Sequence, residues 1–248
     1  MNETFQDRAA AGRLLASRLD RYRNAPDLLI VGMNRGGMPV AREVARELNA
    51  ELDVALTSKL TAPSHPELAL GAVAEDGTRV LNTDVIDALG LSRAAVERLT
   101  SPAMYMLEED RYRYRSRRPL AAAKHRTVLL IDDGAATGAT LEATVLWLLG
   151  RGPNTLAVAI PVAAQEARVR LQGLCDEFVS LQVPEGLRSV SSWFHQFDPV
   201  SDPEVWDLLA DAGMRRGPAH FHPPAAISES VRRPWNPQPA VPGKSGRQ

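Results

Sequence analysis

The chain has 248 residues, 44% of them hydrophobic, and a formal net charge of −1 at neutral pH. That length holds one α/β domain with additions, or two small ones, and supplies a core of ordinary size. The balanced charge excludes a global field that recruits nucleic acid or a membrane surface, and the single cysteine, Cys175, excludes an internal disulfide and suits a reducing compartment.

Residues 1–8 are polar, with no signal-type apolar segment, and the longest apolar run, 156–164, is far too short to span a membrane. A cytoplasmic chain is expected. Residues 7–22 place Ala11, Leu14, Leu15, Leu19 and Tyr22 at helical spacing between arginines, an amphipathic helix. A buried strand over 28–33 leads to a helix over 39–49 that turns Val40, Val44, Ala45 and Leu48 inward. Residues 52–58 form a second strand, and 71–75 with 79–82 flank Asp76-Gly77, a hairpin signal. A long helical stretch over 91–116 forms most of an insertion at 84–118 and ends rich in Glu, Arg and Tyr.

Next come a strand over 127–133, a helix over 139–150 stopped by Gly150-Arg151-Gly152-Pro153, a strand over 155–162, a helix over 164–174 and a strand over 176–183. This alternation predicts an α/β fold: a parallel sheet with right-handed crossovers, wrapped by helices. Residues 184–213 carry Trp193, Phe194, Phe197 and Trp206. Seven of the 18 prolines fall in 218–248 with few apolar residues to bury, so 1–214 is expected to form the domain and 215–248 a disordered Pro-rich tail.

The segment carrying most chemistry is 128–140, Val-Leu-Leu-Ile-Asp-Asp-Gly-Ala-Ala-Thr-Gly-Ala-Thr. Four apolar residues without polar alternation read as a strand buried on both faces. Asp132 and Asp133 follow at its carboxyl end, where open α/β sheets bind ligands. Gly134, Ala135, Ala136, Thr137, Gly138, Ala139 and Thr140 are small or hydroxyl-bearing, so backbone N–H groups can converge on an anion at the start of the next helix. Two carboxylates beside an anion nest suit a ligand with hydroxyls or a metal at one end and a phosphate at the other, the layout of a ribose 5-phosphate. An ordinary Rossmann-like turn holding another nucleotide is the alternative; neither a Walker loop nor a dinucleotide fingerprint is present.

These thirteen positions resemble the phosphoribosyl-diphosphate (PRPP) signature of the type I phosphoribosyltransferases. The resemblance implies a Rossmann-like parallel sheet flanked by helices, with a small hood over about 184–200. It also implies that Asp132 and Asp133 face the ribose hydroxyls and that residues 135–140 wrap the 5-phosphate. Gly134 departs from the family, where many members carry a branched apolar residue.

Residues 32–39, Gly-Met-Asn-Arg-Gly-Gly-Met-Pro, lie between a strand and a helix, where adjacent glycines let backbone amides approach an anion and Arg35 adds a fixed charge. By the same resemblance this is the pyrophosphate loop, with Asn34, Arg35, Gly36 and Gly37 at the substrate and a cis peptide at Asn34–Arg35. Lys59 opens a stretch, 59–71, that is expected to be irregular and to act as a lid, with Lys59 neutralising the departing pyrophosphate. A surface lysine before a stiff turn is the plain alternative, and His65 and Glu67 are equally open between lid contact and solvation.

Residues 189–198 look like the family's hood, where Trp193 and Phe194 would meet the acceptor. Sealing the sheet edge is an equal reading of the aromatics there. The arginine and tyrosine run over 111–118 reads as a solvated helix face or subunit contact in preference to an RNA contact, and His220-Phe221-His222 lacks the third partner of a zinc site.

Taken together, the resemblance implies a Mg²⁺-dependent transfer of ribose 5-phosphate from PRPP to a base-like small molecule. Asp132, Asp133, Arg35 and Lys59 would be at the chemistry, and the two aspartates would take Mg²⁺ indirectly. Membrane and nucleic-acid partners are not expected, and a homodimer is left open. A PRPP-binding regulator without turnover, or a phosphate-binding interaction module using the tail, are the competing classes.

Overall fold

The computed structural model describes residues 4–62, 65–116 and 119–214. In chain order the elements are α1 (Arg8–Arg18), β1 (Leu28–Met33), α2 (Gly37–Leu48), β2 (Glu51–Ala55), β3 (Thr57–Ala62), β4 (His65–Ala74), β5 (Arg79–Leu81), α3 (Thr83–Ala88) and α4 (Arg93–Arg115). They continue with β6 (Thr127–Ile131), α5 (Ala139–Leu149), β7 (Thr155–Val162), α6 (Gln165–Gln172), β8 (Glu177–Gln182) and α7 (Asp202–Met214).

Runs with no polar face can pair only inside a sheet covered on both sides. β1 is buried along its whole length, and β6 and β7 are buried after their first residue. With β2 and β8 they form a parallel sheet in the order β2-β1-β6-β7-β8. One face packs on Leu15, Val44, Leu48, Val205 and Leu209 from α1, α2 and α7, with Leu19 just past the end of α1. The other packs on Leu141, Val145, Leu148, Ala167 and Leu171 from α5 and α6. Register then fixes the site: Gly32 pairs with Ile131, so the chain leaves β1 and β6 side by side at the same edge of the sheet.

The expected irregular lid over 59–71 is replaced by an antiparallel sheet, β3-β4-β5. Leu60 and Leu70 are fully buried, and register shifts at Leu60/Thr61 and Thr61/Ala62 absorb the irregular spacing. Gly71 has φ +150°, and a Cβ there would lie 2.0 Å from the Val80 carbonyl, so only glycine lets β5 close on β4. The hairpin at Asp76-Gly77 forms as expected, with Asp76 Oδ1 accepting the Thr78 N–H at 2.9 Å.

The run over 111–116 is not simply a solvated face. Arg111 is exposed as such a face requires, but Tyr114 is buried and Arg115 reaches Asp53, Glu75 and the Val54 carbonyl. That ion cluster fastens α4 to the edge of the parallel sheet. The helix α7 was not among the expected elements. Its signal is a capping box, Ser201-Asp202-Pro203-Glu204, in which Glu204 Oε2 accepts the Ser201 N–H at 2.7 Å ahead of Val205, Trp206 and Leu209. The disordered-tail expectation, 215–248, lies outside the described residues, as do Arg117 and Arg118.

Candidate active site

Asp132 and Asp133 emerge from β6 beside the loop that leaves β1. A Cβ on Gly36 would lie 2.5 Å from Asp133 Oδ2, and one on Gly37 would lie 2.9 Å from Asp132 Oδ1. The two expected anion-binding loops therefore share a wall, and glycine is the residue that permits it. The Asn34–Arg35 peptide bond is cis, where the resemblance places one. Asn34 Oδ1 is buried with no partner among the described residues, an acceptor waiting for a donor.

Each aspartate has one oxygen committed. Asp132 Oδ1 accepts the Asp133 N–H at 2.8 Å, and Asp133 Oδ2 accepts Arg8 Nε at 2.8 Å. Among the described residues the other oxygen of each takes no hydrogen bond, so two acceptors lie open on adjacent residues. Burial lifts both carboxyls above the ordinary 3.8; the neighbouring Asp133 charge adds to the rise at Asp132, and Arg8 works against it at both.

Beyond the pair, Ala135 N–H is taken by the Val162 carbonyl, while the N–H groups from Ala136 to Thr140 have no backbone acceptor among the described residues. Gly138, at φ +77°, turns the chain into α5. Ala136 and Thr137 are exposed, and Thr140 is half-buried. These unpaired amides and two hydroxyls form a donor set at a helix start. At Gly134 the missing side chain is explained by the hood: a Cβ would meet Val190 Cγ1 at 2.7 Å and Val162 Cγ1 at 2.9 Å.

The other expected residues are arranged less directly. Arg35 is half exposed, and its Nη1 lies 3.5 Å from Asp202 Oδ1 at the start of α7; among the described residues it makes no hydrogen bond or ion pair with Asp132 or Asp133. Lys59 is exposed on β3 and, among the described residues, makes no hydrogen bond or ion pair with residues 132–140. Trp193 and Phe194 are buried with Phe5, Ala11 and Val162, which is the sealing arrangement and leaves little ring face for an acceptor. Arg8 was missed by sequence reasoning: it is one of several arginines on α1, and nothing in its spacing marks it. A separate cavity of about 440 Å³, lined in part by Glu75, Glu108, Arg111, Arg115 and Arg151, shares no residue with this site.

A family profile described as the phosphoribosyl transferase domain matches residues 2–199. A Mycobacterium tuberculosis protein named as a phosphoribosyl transferase (strains CDC 1551 and H37Rv) is 38% identical over 205 residues, 83% of this chain and 46% of that protein. The chain thus spans about half the length of the curated relatives it matches. The crystal structure of TT1426 from Thermus thermophilus superposes with a TM-score of 0.67 at 40% identity, covering 84% of this chain and 98% of that one. With both loops of the signature on one edge of the sheet and a family match across four-fifths of its length, the chain belongs to the phosphoribosyl transferase domain family.

Proposed function

We propose that the chain transfers the 5-phosphoribosyl group of PRPP to a nitrogen of a base-like small molecule, releasing pyrophosphate. The observation that carries this reading is the shared wall between Gly36-Gly37 and the aspartate pair, which puts two anion loops and two open carboxylate oxygens within the reach of one metabolite. In the reaction the C1–O bond of PRPP breaks, its electron pair leaves on pyrophosphate, and the acceptor nitrogen forms the new bond to C1 and loses its proton to solvent. No covalent enzyme intermediate is needed. The amides of 136–140 and the hydroxyls of Thr137 and Thr140 hold the 5-phosphate. The open oxygens of Asp132 and Asp133 accept the two vicinal ribose hydroxyls, and their charge stabilises the cationic ribosyl centre.

Among the described residues no group of three or more acidic, His or Cys side chains could hold a metal. The donor set fits an ion carried in on substrate phosphates, as Mg²⁺ is: Asp132, Asp133 and the orphaned Asn34 Oδ1 would meet its coordinated waters. Bound there, Mg²⁺ would offset charge on the departing pyrophosphate. Arg35 and Lys59 are the cations assigned to the same task; Arg35 would have to swing from Asp202 toward its own loop.

Calorimetric titration of PRPP with Mg²⁺, followed by pyrophosphate release over a panel of purines and pyrimidines, tests the reading. Binding with release on one class of base is expected. Absence of PRPP binding removes the transferase, and binding without release for any base favours the regulator.

A further inference from the structure

Residues 4–8 are stitched to the hood before α1 begins. Phe5 N–H donates to the Trp193 carbonyl at 2.8 Å, His195 N–H to the Phe5 carbonyl at 2.9 Å, and Gln196 N–H to the Gln6 carbonyl at 3.0 Å. Asp7 then caps α1 through the Ala10 N–H at 2.6 Å, which fixes where the next side chain starts. That side chain is Arg8, which is only 11% exposed.

Its guanidinium makes three contacts with separate parts of the site. Nε donates to Asp133 Oδ2 and Nη1 to the Asp198 carbonyl, each at 2.8 Å, and the carbon at its centre lies 3.6 Å from the Phe197 ring centroid. Nη2 faces the pyrophosphate loop, 3.5 Å from where a Gly36 Cβ would sit. A planar fork with fixed donor directions can hold a carboxylate and a carbonyl at once while lying on a ring; an ammonium group cannot.

We propose that Arg8 is a positioning residue for the sugar: it binds one oxygen of Asp133, turns the other toward a ribose hydroxyl, and ties the hood at Asp198 to that carboxylate. The inference rests on the transferase reading and adds to it a residue from the N-terminal helix and a physical link between ribose binding and hood order. Without Arg8 the Asp133 carboxylate is free to rotate, and both its oxygens compete for the same hydroxyl. Pyrophosphate, which has no hydroxyl to offer, is indifferent to that rotation.

The test compares Arg8→Gln and Arg8→Lys with the wild-type protein, using ribose 5-phosphate and pyrophosphate as separate calorimetric probes in Mg²⁺. Amide hydrogen exchange across 194–198 is followed with and without saturating ribose 5-phosphate. Arg8→Gln is expected to weaken ribose 5-phosphate about tenfold, as losing a charge-assisted positioning bond does, and to leave pyrophosphate within about twofold. Arg8→Lys, which keeps the charge and keeps the test decisive should the glutamine variant fail to fold, should recover part of the sugar affinity. The slowing of hood exchange by ribose 5-phosphate should be lost in Arg8→Gln. Equal losses for both probes, an unchanged sugar affinity, or hood protection that survives the substitution overturns the inference. If the wild-type protein binds neither probe, the transferase reading fails and this one with it.

Discussion

Tyr114 and Arg35 meet at a single carboxylate oxygen. The Tyr114 hydroxyl donates to Asp202 Oδ1 at 2.8 Å, and Arg35 Nη1 approaches the same atom at 3.5 Å, while Arg113 holds Oδ2 at 2.5 Å. Asp202 therefore joins the end of α4, the start of α7 and the Arg35 side chain of the loop between β1 and α2. Burial pushes the Tyr114 hydroxyl far above its ordinary range, and the bond to Asp202 adds to the rise, so at neutral pH it is a donor. Tyr114 also stacks on Trp206 with ring centroids 4.6 Å apart.

Tyr114 and Arg35, which share one oxygen of Asp202, should separate by substitution. Asp202→Asn still accepts the Tyr114 hydroxyl but no longer holds Arg35 by charge, so pyrophosphate affinity is expected to rise about two- to fivefold at low salt and less at high salt. Tyr114→Phe keeps the stack and loses the hydrogen bond, costing about 1 kcal/mol in urea unfolding with pyrophosphate affinity unchanged. A fall in pyrophosphate affinity in Asp202→Asn would show that Asp202 positions Arg35 for the ligand and does not hold it away.

The aspartate pair makes stability depend on pH in a defined direction. Both carboxyls titrate above their ordinary 3.8 in the folded chain, chiefly because they are buried. Between about pH 4 and the folded values the native state binds more protons than the unfolded one, so stability falls as pH rises through that window. Asp132→Asn removes the more strongly raised carboxyl and keeps an oxygen for the Asp133 N–H. Its melting temperature should exceed the wild-type value at pH 7–8 and converge with it near pH 4, while sugar binding is lost. Equal curves at every pH would mean that the carboxyl is solvated in the folded protein.

Gly36 offers a steric test of the shared wall. Its φ of −59° suits any residue, so the backbone does not require glycine there. The requirement comes from Asp133 Oδ2, 2.5 Å from where an added methyl would sit, with Arg8 Nη2 behind it. Gly36→Ala should therefore fold, push the carboxylate off its place and weaken ribose 5-phosphate about tenfold or more. Calorimetry with ribose 5-phosphate checks this; wild-type affinity would mean that the carboxylate can move without cost.

The parallel sheet was legible because its three inner strands, β1, β6 and β7, are apolar runs without polar alternation, the pattern of a strand covered on both faces. The two loops stood out as glycines after one strand and adjacent carboxylates after another, and the pairing of β1 with β6 brings them side by side. What escaped were features that exist only through contacts distant in sequence. The β3-β4-β5 sheet depends on Gly71 meeting Val80, and Pro66 within β4 reads as loop. Arg8 becomes distinctive only when Asp133, 125 residues away, is placed beside it. Tyr114 and Arg115 looked like neighbours in a polar run, yet one faces Trp206 and the other Asp53.

Gly134 shows how a departure from the family pattern can be read physically. In many relatives of this family a branched residue would stand there, but here the space is filled from above by Val190 of the hood and from the side by Val162. Gly134→Val should therefore overpack the turn, cost about 1–3 kcal/mol and loosen the hood over the aspartates. Shortening the opposing side chain in Gly134→Val/Val190→Ala removes the 2.7 Å clash and should restore part of the loss, so the two substitutions should couple in a double-mutant cycle. Thermal unfolding of the four proteins measures the coupling. If the losses simply add, Val162 and its carbonyl, both 2.9 Å from the added atom, set the limit at this position, and the hood does not.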